Sequence, residues 1–118
     1  MVKMTIREIL LESFKPVLTS DEMIDFILDN KLRDWSGTLD YNEAKDIARF
    51  SNRWVLEELH PQELSRNIIK PKKRSKHLPV IVGKIGSDYK LLDGIHRIAE
   101  ANYRGDTKIL AYIGTFND

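Results

Sequence analysis

The sequence predicts an α/β fold, α+β in the looser sense, in which an N-terminal helical segment leans on a small mixed sheet. Two observations predict the helical segment: residues 19–30 and 40–48 each open with a helix start signal and continue with apolar residues at helical spacing. A third observation predicts the sheet, because short β-rich runs follow from residue 54 onwards and enclose one more helix. We therefore expect one compact domain, made of a helical segment, residues 1–52, and a core, residues 53–118.

Three helices are predicted in the first half. Residues 6–14 have apolar side chains at helical spacing until a proline ends the segment. Thr19 and Glu22 match a capping box, which opens a second helix that ends near Asn30. Asp40 gives the start signal of the third helix. The apolar residues expected on the inner faces of the last two helices are Met23, Ile24, Ile27, Leu28, Ala44, Ile47 and Ala48.

The second half alternates strands with short connections. Trp54-Val55-Leu56 has strand character, and Pro61 suits the first turn of a short helix. Residues 34–37 in the first half and residues 70–77 here are predicted loops. The remaining predicted elements are a strand at 78–82, a turn within 83–88, a strand at 89–92, a helix from about Ile95 to Tyr103 that ends at Gly105, and a strand at 108–113.

Composition excludes several classes of protein. A chain of 118 residues can bury one core, and no apolar run approaches the roughly 20 residues that cross a bilayer. The amino terminus lacks the apolar region of a secretory signal, so we expect a cytoplasmic protein without membrane contact. Cysteine is absent from the sequence, which excludes disulfides, thiolate metal sites and a cysteine nucleophile.

Charge is nearly balanced overall but unevenly distributed along the chain. The net charge is +1, yet residues 1–65 contain 8 lysines and arginines against 13 aspartates and glutamates. Residues 66–118 contain 11 basic residues against 5 acidic ones. The second half therefore has the positive field that attracts a partner bearing phosphate groups.

The residues that carry candidate chemistry are Asp93-Gly94-Ile95-His96-Arg97, between a predicted strand and a predicted helix. A glycine at this point lets a ligand approach the backbone without a Cβ in the way. The first amides of a helix have no intrahelical partner and lie at the positive end of its dipole, which makes them an anion site. His96 and Arg97 add side-chain donors, and a guanidinium can bind phosphate in a two-pronged way. By spacing alone, a solvated turn remains the alternative to a phosphate site at residues 94–97.

Residues 54–113 resemble the ParB/sulfiredoxin superfamily, which includes ParB-like nuclease domains. The resemblance lies in the order of Leu59-His60-Pro61-Gln62-Glu63-Leu64, Leu78-Pro79-Val80-Ile81-Val82, a hairpin, the stretch Leu91–Ala99 and Tyr103-Arg104-Gly105 before a final strand. Sulfiredoxins bind ATP phosphates with a Gly-Cys-His-Arg motif. Ile95 stands at the cysteine position, which excludes sulfinic-acid reduction by that route.

The Asp-Gly-x-His-Arg form is closer to the ParB-like free serine kinases, which use ADP or ATP. ParB partition proteins bind and hydrolyse CTP, but their motif is richer in arginine and precedes a helix-turn-helix domain. We do not expect that domain here, because the sequence ends at Asp118, soon after the last predicted strand. The resemblance implies a nucleotide cofactor, ATP or another, together with Mg²⁺.

The resemblance also implies roles for individual residues. Gly94, His96 and Arg97 would hold nucleotide phosphates, with the neighbouring Ile95 in the same phosphate-binding turn. Asp93 would lie near magnesium or an acceptor hydroxyl, and Glu63 falls where the serine kinases have a glutamate that acts as the catalytic base. Two alternatives stay open: Asp93 could instead cap the following helix, and Glu63 could be a solvated residue in a first turn.

The basic run from Lys70 to His77 has two functional interpretations. It would either contact the triphosphate of a bound nucleotide or bind the phosphate backbone of DNA or RNA. The alternative without a function is a solvated loop. His60, His77 and His96 show no metal-ligand spacing, so we expect no zinc site. The polyanion contacts predicted in this run are Lys70, Lys72, Lys73, Arg74 and Lys76.

The expected function is therefore nucleotide binding, with hydrolysis or phosphoryl transfer at the Asp-Gly-x-His-Arg site. Two alternatives of other classes remain. One is a nucleic-acid-binding protein or ParB-like nuclease, which the basic run favours. The other is a regulatory module without catalysis, whose acidic helices dock on a protein partner.

Overall fold

Three α-helices and seven β-strands form a mixed α+β fold within the residues that the structure, a computed structural model, describes: 14–34, 37–64 and 78–116. The strands are β1 (Val17–Thr19), β2 (Arg33–Asp34), β3 (Gly37–Thr38), β4 (Arg53–Leu59), β5 (Val80–Ile85), β6 (Asp88–Asp93) and β7 (Ile109–Thr115). The helices are α1 (Ser20–Asp29), α2 (Tyr41–Ala48) and α3 (Ile95–Arg104), and a 3₁₀ turn covers Pro61–Glu63.

Five of the strands form one mixed sheet in the order β1-β4-β7-β5-β6. β5 and β7 are parallel neighbours, and the other neighbouring pairs are antiparallel. The chain travels from β5 to its parallel neighbour β7 through β6 and α3, so α3 begins at the outer strand of the sheet. β2 and β3 pair with each other in a separate ladder.

The two predicted capping boxes are confirmed. In α1 the Thr19 hydroxyl accepts a hydrogen bond from the Glu22 amide at 3.2 Å, and the Glu22 carboxylate accepts one from the Thr19 amide at 3.0 Å. In α2 Asp40 and Glu43 form the same reciprocal pair, at 2.8 and 3.4 Å. These bonds satisfy backbone donors that a helix start would otherwise leave without partners.

Helices cover both faces of the sheet, and each face has its own apolar cluster. The side chains of successive strand residues point to opposite faces, so Ile81 belongs to one cluster and its neighbours Val80 and Val82 to the other. α1 and α2 close the first face with residues that include Met23, Ile24, Ile27, Ala44 and Ala48, which pack with Trp54 and Tyr112. α3 closes the second face through Ile98, which packs with Leu59, Ala111 and Ile113.

The N-terminal segment shares backbone and side-chain contacts with the core. β1 pairs with β4 through Val17 opposite Val55 and Leu18 opposite Trp54. The buried hydroxyl of Tyr112 on β7 donates a hydrogen bond to the Lys15 carbonyl at 2.8 Å. None of the described helices is long and apolar enough to cross a membrane.

Several predicted boundaries were wrong, and the strands β1, β2 and β3 were not predicted. The strand predicted at 78–82 begins at Val80 and continues to Ile85, because the turn is confined to Gly86 and Ser87. Gly86 has φ +60° at the first central position, where two-residue hairpins favour glycine. The predicted loop at 34–37 instead contributes its ends to β2 and β3, and β1 was missed. Residues 6–13 and the basic loop 70–77 lie outside the described residues.

Candidate phosphate-binding site

The start of α3 is built on a glycine that no other residue can replace without strain. Gly94 is the N-cap of α3 and has φ +109° and ψ +26°. A Cβ on this residue would lie 2.5 Å from Val80 Cγ1 and 2.8 Å from Arg97 Nη2. The sequence predicted that the glycine makes room for a ligand. In the structure the space beside its Cα is already filled by Val80 of β5 and by the Arg97 guanidinium.

A buried ion pair joins the end of β6 to the first turn of α3. Arg97 Nη2 donates a hydrogen bond to Asp93 Oδ2 at 2.7 Å, and the two side chains are 11% and 4% exposed. The carboxylate of Asp93 thus contacts a side chain one turn along the helix. The N-cap of α3 is Gly94, which has no side chain to cap the helix, whereas the Asp93 carboxylate pairs with Arg97.

The first turn of α3 differs from those of α1 and α2 at the third helical position. In α1 and α2 this position is Glu22 or Glu43, whose carboxylate accepts a hydrogen bond from the N-cap amide. In α3 the same position is Arg97, and the first turn contains no acidic residue. A cation at a helix amino terminus opposes the dipole, so the start of α3 lacks the stabilisation that Glu22 and Glu43 give to α1 and α2.

Two exposed side chains flank this uncapped turn. Ile95, the first residue of the helix, is 46% exposed, and His96 is exposed beside it. The helix continues inward through Ile98, which is fully buried, and it ends at Gly105 with φ +75°, as predicted. The four predicted phosphate-site residues, 94–97, therefore form the N-cap and first turn of α3. In this turn His96 is exposed to solvent, and Arg97 is a partly buried cation.

Glu63, the predicted base, belongs to a different element from residues 93–97. It is the last residue of the 3₁₀ turn, which packs against α3, and its side chain is exposed. It lines an open cavity of about 540 Å³ together with Leu64, Ser87, Asp88 and Tyr89. The described lining of this cavity includes none of residues 93–97. No local pattern in the sequence indicates this grouping, because it joins the 3₁₀ turn to the tip of the β5–β6 hairpin.

The positive excess of the second half comes from outside the described residues. Residues 66–77 contain 6 basic residues and no acidic one, and all five predicted polyanion contacts belong to this segment. Residues 78–116 contain 5 basic residues against 4 acidic ones. The described surface of the second half is therefore nearly neutral, and Arg97 is the cation built into the start of α3.

The described residues contain no group of three or more histidine, aspartate or glutamate side chains that could hold a metal ion. Mg²⁺ is commonly held by one or two carboxylates together with substrate phosphates and water. At the start of α3 one such carboxylate is present, that of Asp93, and it is paired with Arg97.

No protein-family model matches the chain, and no curated protein matches it in sequence.

Proposed function

We propose that this protein binds the phosphates of a nucleotide at the start of α3 and hydrolyses the terminal phosphate or transfers it to an acceptor. The observation that carries the proposal is that Arg97 occupies the third helical position of α3, where α1 and α2 each have a glutamate, at a helix start without a side-chain cap. Backbone amides, the helix dipole and a held guanidinium then act on one anion. A ParB/sulfiredoxin-like core for residues 53–118 belongs to the same proposal, and the strand, 3₁₀ turn, hairpin, helix and strand order supports it.

Each residue of the site has a distinct part in this proposal. The amides of Ile95 and His96, with the His96 ring and the Arg97 guanidinium, bind the phosphate oxygens and stabilise the charge that develops on them. Asp93 acts through Arg97, because its carboxylate contacts that guanidinium. A magnesium ion bound with the nucleotide would neutralise further phosphate oxygens.

In the chemical step, the oxygen of a water or hydroxyl forms a bond to the terminal phosphorus as the bond from phosphorus to the bridging oxygen breaks. The proton of the attacking O–H passes to a base, and the leaving diphosphate or monophosphate takes the electron pair of the broken bond. Glu63 is our candidate for that base. It is exposed, and the 3₁₀ turn that carries it packs against α3.

Calorimetry with ATP, ADP, CTP and GTP in the presence of Mg²⁺ tests binding. His96→Glu is the most informative variant, because an acid in the first turn favours the helix dipole, by about 0.3–1 kcal/mol, while it repels phosphate. We expect affinity to fall at least tenfold as thermal stability stays equal or rises. Lys90→Ala is the matched control, since it also changes the net charge by one unit in the negative direction but at an exposed position of β6 without a predicted role.

The outcomes separate the three functional classes. Saturable binding that His96→Glu abolishes, with phosphate release that Glu63→Gln slows at unchanged affinity, supports the proposed enzyme. Saturable binding without turnover by any nucleotide favours the regulatory module. If the folded wild-type protein binds none of the four nucleotides, the proposal is wrong.

Nucleic-acid binding is the second candidate, and the confinement of the positive excess to residues 66–77 favours it. Each lysine or arginine that contacts a phosphate contributes about 0.9 to the slope of log affinity against log salt on duplex DNA. Replacement of Lys72, Lys73 and Arg74 by alanine should therefore lower that slope by about 3 if all three contact phosphates. An unchanged slope would exclude this segment as the DNA contact.

A further inference from the structure

The Asp93–Arg97 ion pair lies directly across the uncapped start of α3. Arg97 Nη2 is 2.7 Å from Asp93 Oδ2, and it would be 2.8 Å from a Cβ on Gly94. The guanidinium therefore lies against the N-cap glycine, one residue before the first amide of α3. An anion bound at the start of α3 would therefore be close to both members of the ion pair.

The guanidinium has hydrogen-bonding capacity that this pair does not use. Arg97 Nε is buried and has no hydrogen-bond partner among the residues that the structure describes. A guanidinium carries five N–H donors in a fork that matches two oxygens of a phosphate. A phosphate at the helix start can offer such a pair of oxygens, and the pair with Asp93 leaves at least one donor of the fork unused.

Charge decides whether a phosphate gains from this arrangement. A phosphodiester has one negative charge, the same as the Asp93 carboxylate. To bind the Arg97 guanidinium it would have to compete with Asp93, which has the same charge and is already hydrogen-bonded to Arg97. A terminal phosphate has close to two negative charges at neutral pH. Only the terminal phosphate therefore attracts Arg97 more strongly than Asp93 does.

We infer that Asp93 is a specificity-determining residue, which restricts the site to terminal, doubly charged phosphates and excludes phosphodiesters such as the nucleic-acid backbone. This inference rests on the proposed function, because it presupposes that the start of α3 binds phosphate. Asp93 would then select the ligand by competing with it for Arg97, in addition to positioning the Arg97 side chain.

The test compares adenosine 5′-monophosphate with its methyl ester, which has the same base and sugar but one negative charge fewer. We expect the wild-type protein to prefer the monophosphate at least tenfold in calorimetry. Asp93→Asn keeps a hydrogen-bond acceptor and removes the charge, so affinity for the methyl ester should rise about tenfold and the preference should fall below threefold. Asp93→Glu, which retains the charge, should keep the preference.

A wild-type protein that binds the monophosphate while Asp93→Asn binds the ester no more tightly overturns the inference and leaves the proposed function standing. A wild-type protein that binds neither this monophosphate nor ATP, ADP, CTP or GTP refutes both. Should Asp93→Asn fail to fold, side-chain ¹⁵N resonances of the wild-type protein decide. The Arg97 Nε resonance should shift on addition of the monophosphate and stay unchanged with the ester, and equal shifts with both would overturn the inference.

Discussion

The substitution Gly94→Ala tests how the start of α3 is built. The added Cβ would lie 2.5 Å from Val80 Cγ1, and Val80 is fully buried, so it has no room to move aside. Overpacking of this kind costs about 1–3 kcal/mol. The backbone conformation of Gly94, with φ +109°, adds about 1–3 kcal/mol of strain for a residue with a side chain. We expect Gly94→Ala to lower the free energy of unfolding by about 4 kcal/mol.

Gly105→Ala is the matched control, because it separates backbone strain from steric overlap. Gly105 also has a positive φ, +75°, but a Cβ there would meet no atom within 4 Å. We expect it to cost about 1 kcal/mol, since only the strain applies. Urea unfolding followed by far-UV circular dichroism measures both variants.

Two outcomes would contradict this account of the start of α3. If Gly94→Ala costs no more than Gly105→Ala, the close packing at the helix start is not what constrains Gly94. Val80→Ala offers a second check, because it removes the methyl group that the new Cβ would strike. The double variant should then lose less stability than the sum of the two single variants, by about 1 kcal/mol or more, and strict additivity would refute the contact.

Two further predictions concern the first face of the sheet. Burial raises the pKa of Tyr112 to about 12, with a smaller contribution from the charge of Glu22, so its stabilisation is complete below pH 10 and is lost as pH rises to 12. The loss at pH 11 should be about 1.4 kcal/mol, measured as the difference between wild type and Tyr112→Phe in urea titrations from pH 8 to 11.5. An equally steep alkaline loss in Tyr112→Phe would contradict this origin. Asp40→Ala removes the acceptor for the Glu43 amide and should cost about 1 kcal/mol, whereas Asp40→Asn should cost less; equal losses in thermal unfolding would exclude the cap as the cause.

The elements that could be predicted from the sequence are those whose cause is local. The capping boxes at Thr19 and Asp40 depend on residues three apart, and the structure has both. Gly105 ends α3 because a left-handed residue there satisfies the last carbonyls, and this too is a local property. Such signals need no knowledge of the rest of the fold.

The features that were missed depend on distant parts of the chain. β1 has three residues and becomes a strand by pairing with Val55 and its neighbours on β4. The strand predicted from Leu78 starts only at Val80, after Pro79, which has no amide hydrogen to donate to a ladder. The cavity beside Glu63 joins two segments that the sequence separates by more than 20 residues. Local patterns give no information about such pairings.

The helix start at residues 93–97 was predicted from the sequence, but the contacts within it were not. Residues 93–97 lie together at a helix start, as expected from their spacing. The sequence did not indicate that Arg97 would fold back onto Asp93. One local signal was available, because the third helical position is Glu22 in α1 and Glu43 in α2, whereas it is Arg97 in α3. Because all three positions can be aligned on their helix start signals, comparison of helix starts within one chain can point to an anion site.

Stability and the proposed phosphate binding depend on the same residues at the start of α3, and this decides which variants can report on function. Val80 and Arg97 pack closely beside Gly94, and Arg97 pairs with Asp93, so substitution of any of these residues changes the folded state together with the proposed site. Loss of Arg97 leaves a buried carboxylate without its cation, which typically costs about 3–5 kcal/mol. His96 is exposed in the same turn and has no part in this packing. Substitutions at His96 therefore give the clearest evidence on ligand binding, and those at Arg97 can be interpreted only beside a measured free energy of unfolding.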